Sequence, residues 1–363
     1  MSQLSSRRSF LAGGVAAGAA SVLGATHAEA QPSADRKLKI GVIGVGKWSF
    51  MTYCWSDIIE GLKQGSPRGN LGTPLLNMEI THVWDPDATA AQKFAAQLDI
   101  TAVNKFDDML GSIDGLIFAA MLDVPYMKTL AKPYLEAGVP TYLSRPFAYS
   151  LRDIDDILES AAKGNTPIIA TAKFEHYREV SALRNKLKNV GTIKMVQAAA
   201  HTTDFPMHFH IQFMMLKILG YDVERVSLFY DHETRANYVH ETYLYPGNEE
   251  QPPFVCTIDG SRIPDSFHIR AVGDRGIETV SMPRGYDTWQ EDLLYRYAPQ
   301  VIDMQRTFYG ENYEPYDIVR KKTEIYLTAF YSALERGGAP VDVGTVPADW
   351  RVTTPNIDTS PTF

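Results

Sequence analysis

Downstream of residue 37, apolar positions fall into short dense runs separated by windows of helical period. Lys39-Ile40-Gly41-Val42-Ile43 is β-branched and unbroken, the pattern of a strand buried on both faces. Glu79–Trp84, Gly115–Ala120 and Thr141–Leu143 repeat it. Ser49–Leu62, Ala88–Leu98 and Tyr126–Ala137 carry helical spacing, and Asp107–Leu110 reads as a short helical turn. This alternation requires parallel strands joined by helical crossovers, so residues 37–147 are predicted to form a doubly wound α/β domain. Later, Thr192–Ala200, Val223–Tyr230, Phe254–Ile258 and Phe267–Val272 read as strands, and Ile211–Leu219 and Ile318–Leu334 as helices. A chain of 363 residues exceeds one typical core, so residues 148–345 are expected as a second domain and 346–363 as a tail.

The first strand runs into Gly44-Val45-Gly46-Lys47-Trp48-Ser49, a G-x-G-x-x-G pattern with serine last. Gly44 permits a tight turn, Gly46 lets the backbone approach a pyrophosphate, and the next helix aims free N–H groups at the phosphates. Lys47, Trp48 and Ser49 complete the expected cofactor loop, with Ala120 at the end of a neighbouring strand. The second strand ends at Asp85, placed to accept hydrogen bonds from the adenosine ribose and to repel a 2′-phosphate, so NAD is preferred to NADP. Asp85 lies further from the glycines than the usual ~20 residues, an excess carried by the Gly/Pro/Asn-rich insertion Lys63–Asn77.

Ser6-Arg7-Arg8-Ser9-Phe10-Leu11 has the form of a twin-arginine export signal. A Gly/Ala-rich stretch and Ala28-Glu29-Ala30 follow, predicting residues 1–30 as a signal cleaved after Ala30 and a periplasmic or otherwise exported protein. The twin-arginine translocase is the expected partner in export, and no membrane span is expected. Cleavage removes two arginines and one glutamate, taking the net charge from −8 to −9. Without a basic surface, nucleic-acid binding is not expected. Cys54 and Cys256 are read as free and buried.

The chain resembles the glucose–fructose oxidoreductase / inositol dehydrogenase / MocA (Gfo/Idh/MocA) family. The likeness rests on Ile40–Ser49, Val83-Trp84-Asp85-Pro86-Asp87, Leu135-Glu136-Ala137-Gly138-Val139-Pro140, Arg145-Pro146, Lys173-Phe174, His210 ten residues before Gly220, and Val272-Gly273-Asp274-Arg275-Gly276. It implies a second α/β domain with a large, mostly antiparallel open sheet, whose exposed face builds a homo-oligomer in relatives. It also implies hydride transfer to NAD from a sugar or polyol hydroxyl, and outside the cytoplasm, where free dinucleotide is scarce, the cofactor is expected to be tightly held.

The family's Glu-Lys-Pro motif reads Ser144-Arg145-Pro146 here. Arginine keeps its proton, so Arg145 is expected to orient the cofactor or stabilise a developing alkoxide and not to shuttle protons. The family's aspartate before the histidine is replaced by Pro206, leaving Asp204 as a substitute. His210 is the expected general base. Lys173, after Ile168-Ile169-Ala170, is a second proton carrier to consider.

His201, Asp204, His208 and His210 lie within ten residues. On an extended segment, an H-x-H pair faces one side, giving an alternative in which His201, His208 and His210 bind a divalent metal. Two further readings stand beside the oxidoreductase. One is a non-redox, NAD- or metal-assisted enzyme that cleaves glycosides; the other is a sugar-binding protein without catalysis.

Overall fold

A computed structural model describes residues 36–45, 77–118, 126–201, 208–231, 238–261, 267–282 and 289–353, with backbone only at 201, 261 and 289–296. The expected signal at 1–30, the helix Ser49–Leu62 and Cys54 lie outside these residues.

The first sheet contains β1 (Leu38–Ile43), β2 (Met78–Trp84), β3 (Thr101–Ala102), β4 (Gly115–Phe118), β5 (Thr141–Tyr142) and β6 (Ile168–Ile169) in the order β3-β2-β1-β4-β5-β6. Every described pairing is parallel. The strand order reverses beside β1, and the carboxyl ends of strands at such a switch point form a ligand crevice. Helix α1 (Ala88–Leu98) starts where Asp87 accepts hydrogen bonds from the amides of Thr89 and Ala90. Helices α2 (Met127–Glu136) and α3 (Leu151–Gly164) follow, and Ser150 caps the latter through the Asp153 amide at 3.1 Å. Asp107–Leu110 is a turn without a helix.

The parallel sheet draws on residues beyond 147. Its sixth strand is Ile168–Ile169, and helix α6 (Trp289–Phe308) returns to it late in the chain. Leu38, Ile40 and Val42 of β1 share a core with Phe94 of α1 and with Val301, Met304 and Phe308 of α6. A Cβ on Gly115 would stand 2.9 Å from the Phe308 ring, so β4 admits α6 only because that position lacks a side chain. On the other face, Leu116 and Phe118 pack with Leu130, Tyr134 and Leu135 of α2.

Helix α4 (Arg178–Lys186) leads to the second sheet, of β7 (Ile193–His201), β8 (Arg225–Asp231), β9 (Tyr238–Tyr245), β10 (Phe254–Ser261), β11 (Phe267–Gly273), β12 (Gly276–Ser281) and β13 (Val341–Asp342). The order is β12-β11-β7-β10-β9-β8-β13, antiparallel except for β7 with β10. This is the expected mostly antiparallel sheet. Its inner face packs on α5 (Phe209–Leu219) and α7 (Tyr316–Arg336). Its outer face exposes Met195, Phe229, Val255 and Ile277. No described helix is long and apolar enough to cross a membrane. Cys256 is free and buried.

Candidate active site at the strand ends

The turn after β1 has the geometry its glycine implies. Gly44 adopts φ 91°, which favours a residue without a side chain, and its amide donates to the Trp84 carbonyl at 3.0 Å. The buried carboxylate of Asp85 closes the corner. One oxygen accepts from the Val45 amide at 2.7 Å and the other from the Asp87 amide at 2.8 Å. Asp85 thus ties the ends of β1 and β2 together. A left-handed glycine beside a fixed carboxylate fits the adenosine end of a dinucleotide. Gly46, Lys47, Trp48, Ser49 and Ala120 lie outside the described residues.

Arg145 follows β5 and is 2% exposed. Its Nε and Nη1 make no hydrogen bond, and no described carboxylate pairs with it. Its guanidinium stands 5.9 Å from the centre of the Phe209 ring. Burial pushes the neighbouring Tyr142 phenol up, only partly countered by the charge of Arg145. Lys173 opens a single 3-10 turn, Lys173–His176, just after β6, and its ammonium lies 5.2 Å from the Phe174 ring and 5.6 Å from that of Tyr297. His210, in the first turn of α5, is buried with its ring 4.4 Å from Phe209 and 5.4 Å from Phe174. Phe174 and Phe209 therefore link Arg145, Lys173 and His210 into one aromatic-walled cluster. Asp204 lies outside the described residues.

The histidine pair is arranged otherwise than an extended segment requires. His208 caps α5 and His210 lies within it, so the two are separated by two helical positions and do not share a face. His208 is fully buried toward the sheet, with Nε2 2.8 Å from Glu241 of β9, whose other oxygen accepts from Gln212 at 2.7 Å. No group of three His, Cys, Asp or Glu suited to a metal occurs among the described residues, and the side chain of His201 is not among them.

Two networks beneath the cluster escape sequence reading. His176 Nδ1 lies 2.8 Å from Asp303, and its Nε2 2.7 Å from the Thr171 hydroxyl. The Gln300 amide donates to the Thr171 carbonyl at 3.2 Å and to the Tyr142 hydroxyl at 3.3 Å. Burial pushes the Asp303 carboxyl up, but its hydrogen bond to His176 and the charges of His176, Arg306 and Lys217 together outweigh this and leave it below the usual range. Separately, Lys322 of α7 is fully buried, donating to the Ala170 carbonyl at 2.6 Å and lying 2.6 Å from Glu314 and 3.3 Å from Glu175. Burial pulls this ammonium down, and the two carboxylates more than restore it. Glu175 also accepts from the Ala172 amide at 2.6 Å, so the pair pins the turn that carries Lys173.

Residues 38–172 match the model of an oxidoreductase family with an NAD-binding Rossmann fold, GFO_IDH_MocA. Among solved structures, the chain is similar to a myo-inositol dehydrogenase from Lactobacillus casei in complex with NAD(H) and myo-inositol, at 13% identity and TM-score 0.69, over 88% of this chain and 99% of that one. It is also similar to a probable dehydrogenase from Thermotoga maritima, at 14% identity and TM-score 0.66, over 84% and 99%. A third is the WlbA dehydrogenase from Chromobacterium violaceum in complex with NADH and UDP-GlcNAcA, at 17% identity and TM-score 0.65, over 88% and 99%. At these identities the likeness establishes the fold. No curated protein matches the sequence.

Proposed function

We propose that this chain, whose residues 38–172 belong to the Gfo/Idh/MocA oxidoreductase family with its NAD-binding Rossmann fold, oxidises a secondary hydroxyl of a sugar or polyol. The observation that carries this reading is the placement of His210 and Arg145 against the Phe209 ring, with Arg145 just after β5 of the sheet that also presents Gly44 and Asp85. Gly44 and Asp85 would hold NAD, which when bound supplies a hydride acceptor. The imidazole of His210 takes the proton of the reacting hydroxyl. Arg145 donates to the oxygen as it gains charge and, being permanently protonated, takes no part in moving the proton. Phe174 and Phe209 exclude water from the cluster, which strengthens both interactions.

Export by the twin-arginine translocase suits this chemistry, because the chain would fold around its cofactor in the cytoplasm and keep it afterwards. A bound cofactor would then be restored by a second, carbonyl-bearing substrate. The replacement of the family's lysine by Arg145 favours one further reading, in which the fold binds a sugar without oxidising it.

Full-length protein folded in the cytoplasm tests these readings. Nucleotide titration is expected to show NAD binding, weaker NADP binding, and loss of NAD affinity in Asp85→Ala. Addition of a sugar panel is expected to produce NADH absorbance in the wild type, with at least about a hundredfold loss of rate in His210→Ala. Sugar binding without absorbance change supports the binding protein, and absence of affinity for either nucleotide ends the oxidoreductase reading. The mass of the exported form is expected to begin at Gln31.

A further inference from the structure

The charge on Arg145 has no described counter-ion. Among the described residues only one other lysine or arginine is buried, Lys322, and it sits between two carboxylates at 2.6 and 3.3 Å. Arg145 has neither, and its Nε and Nη1 are buried without hydrogen bonds. The Tyr142 phenol hydrogen-bonds the guanidinium but, held protonated by burial, offers no charge. The Phe209 ring, 5.9 Å away, gives an attraction of about 2 kcal/mol, against a desolvation cost of several kcal/mol for an ion. Lysine in such a place can lose its proton, but arginine cannot. Among the described residues nothing supplies the opposite charge, and an anionic ligand would.

We propose that Arg145 is the anchor for a carboxylate on the substrate, and that the substrate is an acidic sugar, a uronate or an aldonate, and not a neutral polyol. The proposal rests on the cluster being where substrate binds, but not on hydride transfer itself. A planar guanidinium matches a carboxylate in both charge and shape, whereas neutral hydroxyls would leave the charge uncompensated. The diphosphate of a dinucleotide is the other anion at hand. It belongs at the turn after β1, and Arg145 follows β5, two strands away in the sheet, or roughly 10 Å at the usual strand spacing.

The test compares matched ligands on the NAD-loaded full chain by calorimetry: D-glucuronate against D-glucuronamide, D-galacturonate against D-galactose, and D-gluconate against sorbitol. At least one acid is expected to bind about tenfold or more tightly than its uncharged partner, the scale of a charge-assisted hydrogen bond. Arg145→Gln is expected to abolish that preference and Arg145→Lys to retain part of it. The glucuronate–glucuronamide pair alters the ligand alone, so it decides the matter even if a variant fails to fold. Equal binding of acids and uncharged partners overturns the proposal, as does failure of every acid to bind at about 10 mM, above the ordinary range of small-substrate affinity. It is also overturned if Arg145→Gln weakens NAD and leaves acid affinity intact. Selective acid binding by a protein with no affinity for NAD would sustain the anchor and sink the oxidoreductase.

Discussion

At the scale of single residues, a surface-reaching carboxylate is wired to the floor of the site. Asp303 lies 2.8 Å from His176 Nδ1, and His176 Nε2 lies 2.7 Å from the Thr171 hydroxyl. Gln300 then ties Thr171 to Tyr142, the neighbour of Arg145. Arg306, 3.7 Å from Asp303, and Lys217 also favour the ionised carboxylate. Because the folded value lies below that of the unfolded chain, near 4, the stabilisation is complete above about pH 4 and is lost as pH falls through the folded value. Asp303→Asn is therefore expected to lower Tm near neutral pH, with the gap to wild type closing below about pH 4. Melting curves over that range check it, and a gap independent of pH would refute the linkage.

Residue placement was legible where it depended on neighbours in the chain. Asp85 ends a strand and His210 begins a helix, and both places follow from local periodicity. The Asp303–His176–Thr171–Gln300 line joins positions more than 120 residues apart, and only tertiary packing brings them together. The alternative of a same-face histidine pair needed an extended segment, but α5 starts at Phe209, so positions read with period 2 have period 3.6.

At the scale of elements, strands with uniform apolar runs or clean alternation emerged from the sequence, and β9 did not. Its buried face reads Val239, Glu241, Tyr243 and Tyr245, and a buried glutamate interrupts the apolar alternation that signals a strand. The reason for Glu241 lies in α5, where His208 and Gln212 bond it. Helix α6 was also hidden, since Pro299 interrupts it and polar residues dilute its apolar stripe. Its Phe308, 1% exposed, fills the space left by Gly115. Phe308→Ala is expected to cost about 3–5 kcal/mol, measured by urea unfolding. A loss under about 1 kcal/mol would show that α6 contributes little to the first sheet.

At the scale of the whole molecule, the seven-stranded sheet leaves a broad surface with apolar side chains among polar ones. Met195, Phe229, Val255 and Ile277 stand on it at 37–54% exposure, and Asp259 and Arg270 share it. Isolated apolar residues are ordinary on a surface, but several on one sheet face suit self-association across a two-fold axis, where acid and base can pair reciprocally. We infer a homo-oligomer through this face. Light scattering is expected to give a multiple of the monomer mass, reduced to a single copy by Phe229→Glu with Ile277→Glu; a monomeric wild type would exclude it.

The late return of α6 to β1 and β4 also sets a timetable for biosynthesis. While the ribosome is still making the second half of the chain, Leu38, Ile40 and Val42 lack the cover that Val301, Met304 and Phe308 supply. The nascent chain must wait for residue 308 to clear the exit tunnel before its first sheet is sealed, so a product stopped at residue 172 emerges with that oily flank bare and falls to chaperones and proteases.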